Sequence, residues 1–132
     1  MCSISLRSLL AIFIGGGVGS IIRYIIGVCI PLASSGFPLH TFIANIIGCF
    51  IIGLLYVCFM HFINLSHEVR LFFTAGFCGG LTTFSTYSLE IISLFSQNKL
   101  IAIIYATLSF TFGLIAVILG MYLGGVVTKN VI

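Results

Sequence analysis

The sequence has 132 residues, of which 61% are hydrophobic and 5% are charged, and its formal net charge is +3. A soluble domain carries about 25% charged residues, so this composition excludes an ordinary soluble protein. A net charge this small also gives no indication of a nucleic-acid partner.

Four apolar runs account for most of the chain. A hydrocarbon core of about 30 Å is crossed by about 20 apolar residues in a helix. The runs at about 9–30, 41–60, 70–96 and 100–127 reach that length. We therefore predict an all-α membrane protein with four transmembrane helices in a single domain, residues 1–132. The first run is too long for the apolar part of a signal peptide and contains Arg23, so we expect no cleavage.

Small residues recur at four-residue spacing in all four runs. Such pairs let helix backbones approach closely in lipid. They favour packing within the chain, although some of these faces remain available for a second copy. The pairs are Gly15 and Gly19, Ala44 and Gly48, Gly76 and Gly80, and Gly120 and Gly124.

The second run places polar residues on one helical face. Thr41, Asn45 and Gly48 are spaced at i, i+4 and i+7. Asn45 is a primary amide within a helix of lipid-spanning length. It either forms a hydrogen bond that holds the helices together or lines a polar path.

The third run contains the stretch "GFCGGLTTFSTYSLE", from Gly76 to Glu90. Glycine is a poor helix former, and two glycines followed by two threonines favour a break in this helix. Such a break is tolerated at membrane depth where it is buried in protein or lines a watery cavity. The alternative is a kinked but continuous helix whose hydroxyls bond to carbonyls four residues earlier. Beyond the break, Phe84 and Tyr87 share a face.

The fourth run carries two rows of hydroxyl groups. Tyr105 and Ser109 lie on one face, and Thr107 and Thr111 lie on another. One row is a candidate lining for a path, and periodicity does not choose between them.

The polar residues do not form a catalytic set. The two acids, Glu68 and Glu90, the scattered cysteines and the histidines at the ends of the runs indicate neither an enzyme nor a metal cluster. What remains is a polar track without acids, made of amide and hydroxyl donors and electropositive ring edges. This lining suits an anion, because a cation path more typically has rings of carboxylates.

The positive charges give a weak orientation signal. Arg7, Arg70 and Lys129 fall on the side of the termini, whereas Lys99 and the buried Arg23 fall toward the other side. Because Lys and Arg in short loops set the orientation, this near balance is compatible with insertion both ways.

Three segments together resemble the Fluc (CrcB) family of fluoride channels. They are "GGGVGSIIRY", "TFIANIIGCFIIG" and "GGLTTFSTYSLE". The resemblance implies a dual-topology, antiparallel homodimer in the inner cell membrane, with two pores for passive fluoride exit. It also implies that the two broken third helices meet at the dimer axis and hold a structural sodium ion.

The resemblance also implies roles for individual residues. Sodium would be bound by the backbone carbonyls of Gly79 and Thr82, and Arg23 would match the family's arginine in the first span. Tyr87 stands where the family often has Phe, so its hydroxyl needs a partner or water. The implied pore residues are Asn45, Phe84, Tyr87, Thr41, Ser109 and Tyr105.

Two other classes of protein share some of these features. A small multidrug exporter has a similar length, four spans and dual topology, but it needs a carboxylate in the first span, which here has Arg23 and no acid. A non-conducting assembly protein would explain the glycine pairs and would leave Asn45 and the aromatic pair without a role.

Overall fold

The computed structural model describes residues 4–30, 36–61 and 65–131. Across these ranges the secondary structure is helical, without strands. Helices α1 (Leu6–Cys29), α2 (Leu39–His61) and α5 (Lys99–Val131) are long and apolar enough to cross a membrane. Large apolar side chains are exposed along them, such as Phe13 and Ile118. Exposed apolar surface on this scale suits contact with lipid.

The predicted third run forms two helices. The first, which we call α3, begins as an α-helix at His67–Leu71, widens into a π-helix at Phe72–Cys78 and ends with an α-turn at Gly79–Leu81. The second, α4, spans Phe84–Gln97. The N-terminus of α3 is capped by the Ser66 hydroxyl, which accepts from the Val69 N–H.

The break predicted in the stretch of two glycines and two threonines is confirmed, and it lies at the threonines, Thr82 and Thr83. Thr82 (φ −86°, ψ 155°) and Thr83 (φ −148°, ψ 113°) have extended backbones, which β-branched residues adopt readily. Gly79 is helical, with φ −64° and ψ −35°. Thr83 then caps α4, because its hydroxyl accepts from the Thr86 N–H at 3.3 Å. The continuous-helix alternative is therefore wrong, although Thr82 does bond back to the Cys78 carbonyl at 2.9 Å.

The glycine pairs pack within the chain. A Cβ at Gly15 or Gly19 would overlap the carbonyl oxygens of Phe72 or Phe77 in α3, and one at Gly80 would overlap that of Gly16 in α1. In the other helix pair, the Gly120 backbone meets Phe50 of α2 in the same way. These close approaches bind α1 to α3 and α2 to α5, as expected for small residues in membrane helices.

An aromatic cluster joins α4 to α2 and α5. The fully buried Tyr105 ring packs edge-on against Phe37 at 5.1 Å between centroids and lies 5.3 Å from the Tyr87 ring. Leu94 and Ala102 complete the buried centre of this cluster. Ring pairs at these distances are favourable beyond their buried area, so α4 is held in a fixed position beside the break.

Candidate functional site: an interrupted helix between two cavities

Asn45 on α2 holds the backbone at the break. Its Oδ1 accepts from the Thr83 N–H at 2.8 Å, and its Nδ2 donates to the Thr83 carbonyl at 3.4 Å. In an unbroken helix, that N–H would instead bond to the Gly79 carbonyl. The amide therefore replaces backbone hydrogen bonds that the break removes. A primary amide has two N–H donors, and this contact uses one of them.

The break leaves carbonyl groups at the end of α3 without helical partners, as any helix end does. Arg23 on α1 donates from Nε to the Gly80 carbonyl at 3.0 Å. Thr83 and Thr86, whose N–H groups a continuous helix would pair with Gly79 and Thr82, bond to side chains instead. Among the described residues, no side chain donates to the Gly79 or Thr82 carbonyl. Both predicted sodium ligands therefore have free acceptor oxygens, and the donor set fits a hard cation of this kind.

An open cavity of about 490 Å³ lies beside the break. Its wall includes the Asn45 amide from α2 and Ser109 from α5. Ser109 Oγ is buried and has no hydrogen-bond partner in the described part of the chain. The other predicted residues in this wall are Gly79, Thr82, Phe84 and Tyr87. Of the two hydroxyl rows on the fourth run, Ser109 faces this cavity, whereas Thr107 and Thr111 are exposed.

The two aromatic residues of α4 differ in their surroundings. Their ring centroids are 5.9 Å apart, as expected from their shared face. Phe84 is 80% exposed, whereas Tyr87 is partly buried and donates its hydroxyl to the Ala106 carbonyl at 3.1 Å. This bond supplies the partner that a tyrosine at this position needs. The hydroxyl is therefore occupied, and the ring remains part of the cavity wall.

Glu90 lines neither cavity, but it accepts hydrogen bonds from two of the predicted pore hydroxyls. Its Oε1 accepts from the Thr41 hydroxyl at 2.7 Å, and its Oε2 accepts from the Tyr105 hydroxyl at 2.7 Å. His40 Nε2 lies 3.5 Å from the same Oε1. Two hydroxyls predicted to face an anion thus donate to a carboxylate of the same chain. His40, which we predicted to be only a residue at the end of a run, is part of this cluster.

The sequence contained a signal for Glu90 that composition alone missed. Tyr87 and Glu90 are three residues apart, so they share a face of α4. An acid within a membrane helix is also a functional candidate by default. The pairing itself crosses three helices, and no spacing within one run predicts it.

A second cavity, of about 480 Å³, lies on the other side of the break. It is lined by Arg23 and Tyr24 of α1, by His40 and Thr41 of α2, and by Thr86 of α4. Thr83 lines both cavities. The predicted site residues therefore divide into two groups, one in each cavity, and Tyr105 lies buried outside both walls.

The long apolar helices define a multi-pass membrane protein, and its polar groups gather at one interrupted helix. A family model described as "CrcB-like protein, Camphor Resistance (CrcB)" matches residues 10–121. The chain belongs to this CrcB family, as its three segments indicated.

Curated relatives extend this assignment. The chain is 44% identical over 124 residues to the "Fluoride-specific ion channel FluC" of Bacteroides fragilis, covering 90% of this chain and 97% of the relative. It is 40% identical over 121 residues to the protein of that name from Methanopyrus kandleri, covering 92% of each. A Yersinia pseudotuberculosis protein, "Fluoride-specific ion channel FluC 1", is 46% identical over 94 residues, which is 71% of this chain and 74% of the relative. These relatives are ion channels and not enzymes, in agreement with the prediction that the chain is not an enzyme.

Proposed function

We propose that this protein is a fluoride-specific ion channel that lets cytoplasmic fluoride leave the cell passively across the inner membrane. It works as a homodimer of two copies in opposite orientations. A structural sodium ion lies between the copies and is not transported. The names of the relatives support fluoride as the conducted ion. The polar groups beside the broken helix support a path for that ion.

The observation that carries this proposal is the donor lining of the first cavity. Ser109 lies in the wall, and its buried Oγ has no hydrogen-bond partner in the described chain. Asn45 lies in the same wall, with one N–H donor beyond its contact with Thr83. Fluoride is small and strongly hydrated, so a pore has to replace its water with donors of this kind. The edges of the Phe84 and Tyr87 rings add positive electrostatic potential.

A second copy completes this site. The cavity is open on one side, and Phe84 in its wall is 80% exposed. Covering this exposed ring with another chain would remove its apolar surface from contact with its surroundings. Because the Lys and Arg residues are nearly balanced between the two ends, either orientation is available for that copy.

The sodium ion has a chemically suitable site at the break. The free carbonyls of Gly79 and Thr82 are hard oxygen ligands, and unwound carbonyls in transporters bind Na⁺ in this way. A monovalent cation there would neutralise the carbonyl dipoles that two opposed helix ends direct at each other. The chain's own contribution is to hold these carbonyls in place through Asn45 and Arg23.

The alternative classes receive less support. A proton-coupled multidrug exporter needs an acid in its first span, and α1 has none among its residues Leu6–Cys29. The glycine pairs, which an assembly protein would present to partners, are used within this chain.

Fluoride efflux from liposomes tests the proposal. Liposomes that contain the purified protein should release fluoride far faster than protein-free liposomes, and chloride release should not differ between the two. Equal fluoride release from both kinds of liposome would refute the channel function.

A further inference from the structure

His40 contacts Glu90 from a position that also faces the second cavity. It lies in the first turn of α2, with Nε2 3.5 Å from Glu90 Oε1 and 30% of its side chain exposed. Glu90 is 17% exposed. The imidazole therefore stands between the carboxylate and the cavity lined by Arg23.

Each neighbouring helix presents a charged or titratable group to this region. Glu90 comes from α4, and Arg23 and Tyr24 come from α1 through the shared cavity. Tyr105 of α5 contacts the other oxygen of Glu90. Arg23 is directed to the Gly80 carbonyl, whereas His40 lies beside Glu90. The first turn of a helix disfavours a positive charge, so an imidazolium at this position depends on that carboxylate.

From this geometry we infer that His40 is a positioning residue for the anion path, and that its protonation increases fluoride flux. The inference rests on the channel function proposed above. Glu90 lies next to His40 and outside both cavity walls, and its negative charge repels an anion in the cavity that His40 lines. An imidazolium at Nε2 neutralises that charge.

The test measures fluoride efflux from liposomes at equal internal and external pH, with protein-free liposomes subtracted at each pH. Histidine changes its charge between about pH 5 and pH 8, so pH 6 and pH 8 are compared. Parent protein should conduct at least about threefold faster at pH 6, the order expected when one nearby charge is neutralised in partly solvated surroundings. The subtraction removes leakage of neutral HF through the lipid.

Two substitutions separate charge from structure. His40→Gln keeps a hydrogen-bonding side chain without a charge, so its flux should be low and equal at both pH values. His40→Lys carries a permanent charge, so its flux should be high at both. His61→Gln is the matched control: His61 is exposed at the other end of α2, and its Nδ1 lies 3.1 Å from the Val57 carbonyl of its own helix. It should retain the pH response of the parent.

The outcomes are distinguishable from failure of the channel itself. If the parent shows no pH response, or if His40→Gln keeps one, His40 does not have this role even though fluoride is conducted. If His40→Lys shows the parent's pH profile, the charge at this position is not the cause. If the parent releases no fluoride above protein-free liposomes at either pH, the proposed function is refuted and this inference with it.

Discussion

Gly79 and Gly80 are adjacent at the end of α3, and substituting each in turn distinguishes packing within one chain from packing between chains. A Cβ at Gly80 would overlap the Gly16 carbonyl oxygen and lie 3.1 Å from the Gly16 carbonyl carbon. A Cβ at Gly79 would meet nothing nearer than the Thr74 carbonyl oxygen, at 3.9 Å. We therefore predict that Gly80→Ala strains the α1–α3 contact and that Gly79→Ala is accommodated within its own chain.

The expected difference in stability between the two variants follows from these distances. Inserting a methyl group into a packed contact costs about 1–3 kcal/mol. Replacing a helical glycine by alanine stabilises a helix by about 1 kcal/mol, but this gain applies to both variants and cancels in the comparison. Gly79→Ala should thus be more stable than Gly80→Ala by about 1–3 kcal/mol. The helical φ of Gly79 also means that its backbone does not require glycine.

Thermal unfolding in detergent, followed by helical circular dichroism, measures this difference, and size-exclusion chromatography reports the oligomeric state. In the inverted dimer that we propose, Gly79 lies at the centre, so Gly79→Ala should keep its helices and yet dimerise weakly and conduct little fluoride. Equal stability of the two variants would refute the packing argument. Full dimerisation and flux of Gly79→Ala would instead remove Gly79 from the dimer centre.

Four further predictions test the site. Asn45→Asp should lower fluoride efflux by at least about tenfold while the dimer still assembles, because the charged group loses a donor and repels the anion; normal flux would leave Asn45 only its role at the break. Tyr87→Phe should conduct nearly as the parent and lose about 1 kcal/mol of stability with its bond to Ala106, whereas Tyr87→Ile should conduct slowly; equal flux in both would exclude the ring edge. Replacing Na⁺ by a large organic cation during purification should reduce flux or dimer stability, and identical behaviour in both salts would argue against the site. A single cysteine near one terminus, in a cysteine-free background, should be labelled from both sides of the membrane, and labelling from one side only would contradict dual insertion.

The break illustrates what the sequence predicts and what it leaves open. Glycine and threonine together indicated an interruption, and the interruption exists. Its exact position could not be predicted, because composition does not show that the glycines and the threonines have different roles. The glycines are needed where α3 touches α1, and the threonines provide the extended backbone and the cap of α4. The π-helix at Phe72–Cys78 was not predicted either, because its register follows from the contact with α1 and not from a local pattern.

The Glu90 cluster shows a second limit. Helical spacing correctly grouped Phe84 with Tyr87, since both lie on one helix. The hydrogen bonds from Thr41 and Tyr105 to Glu90 join residues 49 and 15 positions apart in the chain. Such pairings depend on how α2, α4 and α5 pack, and the candidate pore hydroxyls could not be assigned partners before that packing was known.

The sequence left two interpretations of Asn45 open: a hydrogen bond that holds the helices together, or a place in the lining of a polar path. Were the helix continuous, the Thr83 N–H would return to the Gly79 carbonyl, and the amide would lose both of its contacts at the break. Because an unpaired buried amide is costly, Asn45 and the break stabilise each other. Thr83, the residue that the amide holds, is also the one that lines both cavities. The hydrogen bonds that join α2 to the break thus also hold the residue that the two cavities share. The proposed role of Asn45 in the path is therefore compatible with its structural role.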